Sequence, residues 1–431
     1  MGEYHIQGGV PIQGMIKACG NKNAALPCIA AALLTGDPVV LRNVPQIEDT
    51  AVMFEILRSL GVTVEQLEEN AWKIIASGQI RSTISPELSD RIRASILFAG
   101  PLLARTSSVL LPPPGGDVIG RRRLDTHFLA LQDLGARIAI GKHFDLRANK
   151  LIGADIFLDE ASVTATENAV MAATLAEGET VISNAASEPH VQDLCGMLNA
   201  MGARISGAGS NILTIRGVRE LHGVDWTIGP DYMEIGSFIG LAAATGGSIA
   251  IQGVNARDMR PIQLPFSKLG IRWTISDGPP GTGSTLSVPV QKSPKVNNDL
   301  GGMIPKIDDA PWPGFPPDLI SIMTVVATQV RGTVLIHEKM FESRMFFVDG
   351  LSRMGARIVL CDPHRAVIIG PAMLHGDHLV SPDVRAGMAL VIAACAARGE
   401  SVISNIYQVE RGYEHLTERL QNLGIRIRRV E

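Results

Sequence analysis

Residues 354–358 read MGARI, and five further stretches of the chain carry the same kind of phrase: LGVTV at 60–64, LGARI at 134–138, MGARI at 201–205, LGIRW at 269–273 and LGIRI at 423–427. A helical pattern precedes each phrase and a strand pattern follows it; after Gly424, for example, residues 425–430 read IRIRRV. Glycine commonly ends a helix because it adopts the left-handed backbone conformation without a steric penalty. The phrase therefore predicts six helix-to-strand turns.

The spacing of these glycines indicates six repeats of one unit. They stand at positions 61, 135, 202, 270, 355 and 424, so each repeat is about 70 residues long. Between the phrases runs a second pattern of Ala-rich helix, glycine turn and β-branched strand, as in AVMAATLAEGETVISNA at 169–185. The Ala-rich helices are apolar on every side and are predicted to be buried, whereas the helices before the phrases carry charge on one face and are predicted to lie outside. Six such units in 431 residues predict an α/β fold of two domains with three repeats each.

The longest step, from Gly270 to Gly355, indicates extra residues within 277–317, a segment rich in Pro, Gly and Asp. It contains GPPGTGST at 278–285, which superficially resembles a nucleotide-binding loop. Such a loop needs a lysine after its last glycine and a helix behind it, but Ser284 stands there and both flanks alternate like strands. Residues 278–285 are therefore predicted to form the turn of a β-hairpin.

Composition and charge argue against nucleic-acid and membrane partners. The net charge is −4, too balanced for a nucleic-acid partner, and no apolar stretch is long enough to span a membrane. The start, MGEYHIQGGVP, lacks the regions of a secretory signal. The five cysteines form no CxxC pair, which predicts reduced thiols and no metal site. We therefore expect a soluble cytoplasmic protein with no cofactor; its oligomeric state is not indicated.

Four groups of polar residues stand beside the Ala-rich helices: GNKNAALP at 20–27, PPPGGDVIGRRRLDTH at 112–127, SVTATEN at 162–168, and Asp318, Arg344, Asp383, Arg385 and Arg411 in the second half. Free N–H groups at a helix start favour an anion, and arginines beside buried helices are costly unless they meet anions. Taken singly, these segments are equally compatible with helix caps and exposed basic loops. Together they predict a site for an anionic substrate.

The same segments resemble the motifs of the enolpyruvyl transferases, and so do RASI at Arg93, FPPDL at Phe315, FESR at Phe341, PDVRAG at Pro382 and ERGYE at Glu410. The resemblance runs from about residue 5 to the C-terminus and is strongest to the members that act on UDP-N-acetylglucosamine. It implies a fold of two inside-out α/β barrels, each with pseudo-threefold symmetry. It also implies a first domain at 22–228 and a second domain formed by 1–21 and 229–431.

The activity implied by the resemblance is transfer of the enolpyruvyl group of phosphoenolpyruvate to the 3′-hydroxyl of UDP-N-acetylglucosamine. Phosphate is released, and the reaction is the first committed step of peptidoglycan synthesis. In this interpretation Lys22, Arg122 and Arg411 hold phosphoenolpyruvate. Asp318 takes the proton of the sugar hydroxyl, and Asp117 on a mobile loop is the general acid.

The resemblance also implies the residues that contact the sugar nucleotide: Asn23, Arg93, Arg122, Arg123, Leu124, Asp125, Thr126, Glu160, Ala161, Ser162, Val163 and Met340. Arg344, Asp383 and Arg385 are expected to support the charge network of the site, and His127 to lie behind the residues that touch substrate. Two positions depart from the usual family pattern. Asp117 stands where cysteine is common, and Arg123 stands where proline is usual, which affects the geometry of the loop.

Three alternatives stay open at this stage. The first is an enolpyruvyl transferase of secondary metabolism that acts on another uridine nucleotide. The second is a non-catalytic paralogue that binds the sugar nucleotide. The joint presence of the expected site residues disfavours it: Lys22, Asp117, Arg122, Asp318 and Arg411. The third is an RNA 3′-phosphate cyclase with a related repeat, which the near-neutral charge disfavours.

Asp117 generates a prediction about inhibition. Fosfomycin alkylates the cysteine of the Cys-bearing members, and this requires a strongly nucleophilic thiolate. A carboxyl group is a poorer nucleophile toward an epoxide, so we expect the parent protein to resist fosfomycin and Asp117→Cys to remain active and become sensitive. The variant's active pH range should also extend upward, because a thiol with a pKa of about 8.5 stays protonated where a carboxyl group does not.

The measurement is a time-dependent inactivation assay on both proteins, with mass spectrometry of the adduct. A covalent adduct on the parent protein, with activity lost in step, would remove Asp117 from the acid position. Full activity in Asp117→Asn would do the same.

Overall fold

The computed structural model describes residues 2–116, 123–278 and 283–431 as a mixed α/β structure. The described strands are β1 (Glu3–Gln7), β2 (Gln13–Lys17), β3 (Val39–Arg42), β4 (Thr63–Glu68), β5 (Ala71–Ile75), β6 (Ser108–Leu111), β7 (Arg137–Ile140), β8 (Phe144–Arg147), β9 (Asp155–Phe157), β10 (Glu179–Ser183), β11 (Arg204–Ser206), β12 (Ile212–Arg216), β13 (Val224–Thr227), β14 (Ser248–Val254), β15 (Thr274–Ser276), β16 (Ser284–Val288), β17 (Lys306–Asp308), β18 (Gly332–His337), β19 (Arg357–Asp362), β20 (Arg365–Gly370), β21 (His378–Val380), β22 (Glu400–Ser404) and β23 (Arg426–Val430).

The described α-helices are α1 (Lys22–Ala31), α2 (Glu48–Ser59), α3 (Pro86–Arg91), α4 (Ala99–Thr106), α5 (Asp125–Asp133), α6 (Val163–Ala173), α7 (Pro189–Ala200), α8 (Tyr232–Thr245), α9 (Arg260–Lys268), α10 (Ile320–Gln329), α11 (Val348–Arg353), α12 (Val384–Ala396), α13 (Tyr407–Glu410) and α14 (Leu416–Asn422). Short 3₁₀ segments occupy Ala32–Leu34, Arg93–Phe98, Leu300–Gly302 and Pro317–Leu319.

Contacts divide the described residues into two units. The terminal unit comprises residues 2–19 and 230–431 and contains both chain ends, and the inserted unit comprises residues 20–116 and 123–229. Each unit has its own hydrophobic core.

In the inserted unit, three buried helical segments pack together: α1, α6, and α4 with the 3₁₀ segment before it. Three sheets belong to this unit, with strand orders β13-β3-β5-β4, β6-β8-β7 and β11-β12-β10-β9. The middle sheet has three strands; in place of a fourth, Thr83 forms a single parallel bridge to Leu110. The charged-face helices α2, α5 and α7 pack outside the central segments.

The terminal unit repeats this plan. Helices α8, α10 and α12 each pack against the other two, and the sheets have strand orders β15-β16-β14-β2, β17-β18-β20-β19 and β21-β22-β1-β23. Strand β1 lies between β22 and β23 and is antiparallel to both, so the first residues of the chain complete the sheet of the last repeat.

Small residues allow the central helices of the terminal unit to approach closely. A Cβ at Gly236 would lie 2.7 Å from the side chain of Leu319, and one at Gly240 would lie 2.4 Å from Ile322. Nearly every residue of α8, α10 and α12 is buried. The prediction that the Ala-rich helices are internal is therefore confirmed, as is the prediction of two α/β units of three repeats.

The glycines of the six phrases end the six outer helices. Their φ angles lie between 74° and 102°, the left-handed region in which glycine meets no Cβ penalty. The turn predicted from each phrase is confirmed, and each turn leads into the outer strand of its sheet: β4, β7, β11, β15, β19 and β23.

The extra segment, residues 277–317, contributes strands to the sheets of the terminal unit. Strands β15 and β16 pair antiparallel, as the hairpin prediction requires; the turn residues 279–282 lie outside the described residues. Strand β17, which the sequence assigned to the insertion, pairs parallel with β18 and is an integral strand of its sheet. A three-residue strand among Pro, Gly and Asp has too little alternation to be recognised from sequence.

The close helix packing predicts that Gly240→Ala destabilises the terminal unit. The added methyl group would meet Ile322 at 2.4 Å in a packed core, and overpacking of this kind costs about 1–3 kcal/mol, partly offset by the better helix propensity of alanine. Denaturant unfolding measures the change. Gly36→Ala is the control, because its methyl would meet no atom closer than 3.9 Å. Equal stability of the two variants would contradict the packing argument.

Candidate active site

Lys22 is the first residue of α1, in the inserted unit. The side chain of Asn21 caps this helix by accepting hydrogen bonds from the N–H groups of Asn23 at 2.8 Å and Ala24 at 3.3 Å. Because the start of α1 is apolar apart from these residues, Lys22 is largely enclosed, and its Nζ lies 2.5 Å from Oδ2 of buried Asp49. The lysine is therefore held in place at a helix N-terminus, where an anion is also favoured.

Two glycines bring the segment before Asp117 against Arg93. A Cβ at Gly115 would lie 1.8 Å from the carbonyl oxygen of Asp90, and one at Gly116, whose φ is +96°, would lie 2.9 Å from the backbone nitrogen of Arg93. Only glycine fits this close backbone approach. Asp117 and Arg122 themselves lie outside the described residues.

The segment that begins α5 is joined to the segment that precedes α6. Arg93 Nη2 donates to the carbonyl oxygen of Arg123 at 3.4 Å, and Arg123 Nε donates to Asp125 at 2.6 Å. Asp159 connects the two segments: its Oδ1 accepts from the hydroxyl of Thr126 at 2.6 Å, and its Oδ2 lies 3.6 Å from Arg123 Nη2. Residues 93, 123–126 and 160–163, which the sequence assigned to one ligand, therefore meet around Asp159.

Ser162 caps α6 by accepting from the N–H of Ala165 at 3.4 Å. Behind it, His127 is enclosed between Asn168, whose Nδ2 lies 2.9 Å from Nδ1, and Thr164, whose hydroxyl lies 3.0 Å from Nε2. Burial, with a contribution from Arg93, lowers the pKa of His127 to about 3. Since Nδ1 accepts from the Asn168 amide, Nε2 carries the proton and donates to Thr164. His127 therefore stays neutral and links α5 to α6.

In the terminal unit, Asp318 lies in the 3₁₀ segment before α10 and forms two ion pairs. Its Oδ1 lies 2.7 Å from Arg344 Nη1, and its Oδ2 accepts from Arg385 Nε at 3.0 Å. The Arg344 guanidinium lies over the ring of Phe341 at 4.5 Å. Three side chains that are far apart in sequence thus form one largely buried ionic cluster.

Arg385 is the second residue of α12 and is fixed from several sides. Asp383 caps the helix by accepting from the N–H groups of Arg385 and Ala386 at 2.8 and 3.0 Å. The Arg385 guanidinium lies 5.3 Å from the ring centre of Tyr413, whose hydroxyl is 2.8 Å from that of Ser237. The arginine can therefore shift little relative to Asp318.

The ionic cluster decides the charge of Asp318. Burial by itself would raise the pKa of this carboxyl group, but Arg344 and Arg385 more than offset burial and hold the pKa well below its usual range. Asp318 is consequently ionised throughout the neutral range.

Two further predicted residues lie in the terminal unit. Arg411 follows α13 and is mostly buried, and its Nη1 donates to Gln408 at 3.1 Å. Met340 is exposed, and its backbone N–H donates to Oδ2 of Asp309 at 3.1 Å.

The family model of EPSP synthase (3-phosphoshikimate 1-carboxyvinyltransferase) matches residues 6–420. The UDP-N-acetylglucosamine 1-carboxyvinyltransferase of Treponema denticola is 67% identical over 427 residues, covering 99% of both chains. That of Treponema pallidum is 62% identical and covers 98% of both. Among solved structures, the enolpyruvyl transferase NikO from Streptomyces tendae has a TM-score of 0.86 at 25% identity, covering 100% of this chain and 99% of its own. The chain belongs to the UDP-N-acetylglucosamine 1-carboxyvinyltransferases, within the enolpyruvyl transferase family.

Among residues 2–116, 123–278 and 283–431, no cluster of three or more His, Cys, Asp or Glu side chains is placed to bind a metal ion. Within the same part of the chain, no helix is both long enough and apolar enough to cross a membrane.

Sequence reasoning missed four residues of this enolpyruvyl transferase that contact predicted ones, and a fifth, Glu338, that interacts electrostatically with Arg344. The four are Asp49, Asp159, Asp309 and Tyr413. Asp49 occupies the first turn of α2, where an acid is common for helix-dipole reasons alone. Asp159 directly precedes the predicted Glu160, and Tyr413 lies within the ERGYE motif. Their closeness in sequence to predicted positions could therefore have identified these two residues. The others are brought in only by tertiary contacts.

The buried cluster predicts a large stability effect for Asp318→Asn. Removing the shared carboxylate leaves two buried guanidinium groups undercompensated, which typically costs about 3–5 kcal/mol of unfolding free energy. Because the folded pKa of Asp318 is depressed, this contribution is present above its unfolded pKa and is lost only as the pH falls through the folded value. The stability gap between parent and variant should therefore stay constant from about pH 5 to pH 8.

Denaturant unfolding at several pH values measures this gap. The control is Asp308→Asn, which removes a partly exposed carboxylate paired with Lys306 and Lys339 and should cost no more than about 1 kcal/mol. Similar losses in the two variants would show that the Asp318 cluster contributes nothing beyond a surface ion pair.

Proposed function

We propose that this protein transfers the enolpyruvyl group of phosphoenolpyruvate to the 3′-hydroxyl of UDP-N-acetylglucosamine and releases phosphate. The observation that carries the proposal is the full-length similarity to relatives named UDP-N-acetylglucosamine 1-carboxyvinyltransferase, at 67% identity for the Treponema denticola protein. We further propose that the reaction serves peptidoglycan synthesis, and through it cell shape and division, in the cytoplasm. The proposed domains are residues 22–228 and residues 1–21 with 229–431.

The reaction needs a proton donor, a proton acceptor and cations. In the proposed mechanism, Asp117 supplies a proton to C3 of phosphoenolpyruvate, and positive charge develops at C2. The sugar oxygen bonds to C2 as Asp318 takes the hydroxyl proton, which gives a tetrahedral adduct. Loss of a methyl proton and of phosphate from the adduct then restores the C2–C3 double bond and gives the enol ether product.

The electrostatics of Asp318 suit the second step. Arg344 and Arg385 keep the carboxylate ionised and therefore able to accept a hydrogen bond from the sugar hydroxyl. They also make it a weak base. A weak base suffices once the oxygen has begun to bond to an electron-poor carbon, because the hydroxyl proton is then far more acidic than in the free alcohol. The proton transfer is thus tied to bond formation at C2.

The proposed substrate contacts follow the two sets of residues already described. Lys22, Arg122 and Arg411 hold the phosphate and carboxylate of phosphoenolpyruvate through charge-assisted hydrogen bonds. The sugar nucleotide contacts Asn23, Arg93, the 122–126 and 160–163 segments, and Met340. The contacts of Asp159 with Thr126 and Arg123 support this assignment, because they connect the two segments that it places around one ligand.

The test is a phosphate-release assay with phosphoenolpyruvate and a panel of acceptors: UDP-N-acetylglucosamine, UDP-glucose and UMP. We expect UDP-N-acetylglucosamine to give the highest kcat/KM. In Asp318→Asn, assayed at a temperature at which the variant is folded, turnover should fall by about two to four decades while nucleotide binding changes only a few-fold. The Asp308→Asn control should keep its turnover.

Each other outcome points to a different function. Preference for another uridine nucleotide would favour a role in secondary metabolism, and binding without phosphate release would favour a non-catalytic protein. Near-parent turnover of Asp318→Asn would remove this residue from the mechanism.

A further inference from the structure

Glu338, directly after β18, has a fixed backbone and an unsatisfied carboxyl group. Its N–H donates to the carbonyl oxygen of His364 at 2.8 Å, and its own carbonyl oxygen accepts from His364 Nδ1 at 2.9 Å. The residue is fully buried, and among the described residues no donor reaches either carboxyl oxygen. An ionised carboxylate without donors is costly inside a protein, so Glu338 must be neutral or must have a partner.

Asp308 and His337 are paired residues of β17 and β18, so Asp309 and Glu338, which follow them, are neighbours. Asp309 is also fully buried. Asp309 directly follows β17, the strand within the extra segment. Its Oδ1 accepts from the N–H of Lys339 at 2.5 Å and its Oδ2 from the N–H of Met340 at 3.1 Å. Two backbone donors favour the ionised form of Asp309, and they fix the segment in which Met340 lies.

The charged groups around Glu338 favour a neutral Glu338 beside an ionised Asp309. Burial raises the pKa of Glu338; Arg344 opposes this effect, Asp309 and Asp318 add to it, and the pKa is raised to about 9. Asp383 interacts electrostatically with Arg344, which in turn interacts with Glu338. Two adjacent buried carboxyl groups cannot both ionise readily, and the one with two N–H donors keeps the charge.

We propose that Asp309 and Glu338 are a positioning pair for the acceptor substrate: Glu338 keeps one proton and donates a hydrogen bond through it to Asp309, and ionised Asp309 fixes the Lys339–Met340 backbone. The pair touches no reacting atom. Its effect on the substrate rests on the proposed function, in which Met340 contacts the sugar nucleotide. The shared proton itself does not depend on that function.

The shared proton has a consequence for stability. The folded pKa of Glu338 is raised above its ordinary value of 4.5, so its contribution to stability is complete below that value and is lost as the pH rises through about 9. Glu338→Gln replaces the protonated carboxyl group by an amide, which also donates to Asp309 but does not titrate. The parent protein should therefore lose stability relative to this variant across that window.

The first experiment measures Tm for the parent and Glu338→Gln between pH 5 and pH 9. We expect the Tm of the parent to fall relative to the variant by about 3 °C or more over this range. Glu69→Gln, at an exposed position in the turn between β4 and β5, is the matched control and should show the same pH dependence of Tm as the parent. A Tm difference between Glu338→Gln and the parent that stays constant with pH would contradict the proposal that the two carboxyl groups share a proton.

The second experiment measures KM for each substrate in Asp309→Asn. The asparagine oxygen can accept from one of the two N–H groups, but its amide nitrogen faces the other, so one buried hydrogen bond is lost. KM for UDP-N-acetylglucosamine should rise about 5- to 100-fold, with kcat and KM for phosphoenolpyruvate within about three-fold of the parent. Asp308→Asn, the neighbouring control, should leave both KM values unchanged.

An unchanged acceptor KM in Asp309→Asn would overturn the positioning role, and so would a loss of kcat alone. If the parent protein shows no turnover with UDP-N-acetylglucosamine, the proposed function fails. The Tm comparison still decides whether the two carboxyl groups share a proton, so the two failures are distinguishable.

Discussion

Three apolar helices that pack side by side leave no face for water, and every other element of each unit follows from that constraint. Such helices must be covered by further secondary structure, and the sheets and the charged-face helices supply the cover. Close approach depends on small side chains: Gly236 and Gly240 of α8 leave no room for a Cβ against α10 and the segment before it. The six phrase glycines then direct each outer helix into the strand that completes its sheet.

The same constraint explains why the polar chemistry lies at helix ends. A central helix cannot carry charge along its length, whereas its first turn has free N–H groups and can accept polar neighbours. Lys22, Ser162, Asp318 and Arg385 all lie at or just before the start of a central helix. Once enclosed there, each charge needs a partner, and the structure supplies Asp49 for Lys22 and two arginines for Asp318.

The carboxyl groups of the terminal unit show how neighbours decide the protonation of chemically similar groups. Asp318 meets two guanidinium groups and is held ionised, whereas Glu338 meets no donor and another carboxylate, and holds its proton. Both residues interact with Arg344. A neutral Glu338 does not compete with Asp318 for the charge of Arg344, and the proposed mechanism needs Asp318 in its ionised form.

The sequence by itself determined the repeat, the two-unit α/β fold, the buried position of the Ala-rich helices and the family. These follow from local signals: apolar periodicity, glycine at helix ends, and motifs whose residues are adjacent in the chain. Motif resemblance also grouped Asp318, Arg344 and Arg385, but not their ion pairs. Only the tertiary structure decided that β17 is a sheet strand, that Asp159 joins two segments, and that Asp309 and Glu338 face each other. These contacts connect residues about 30 or more positions apart, and the charge of a buried carboxyl group depends on neighbours that only folding brings within reach.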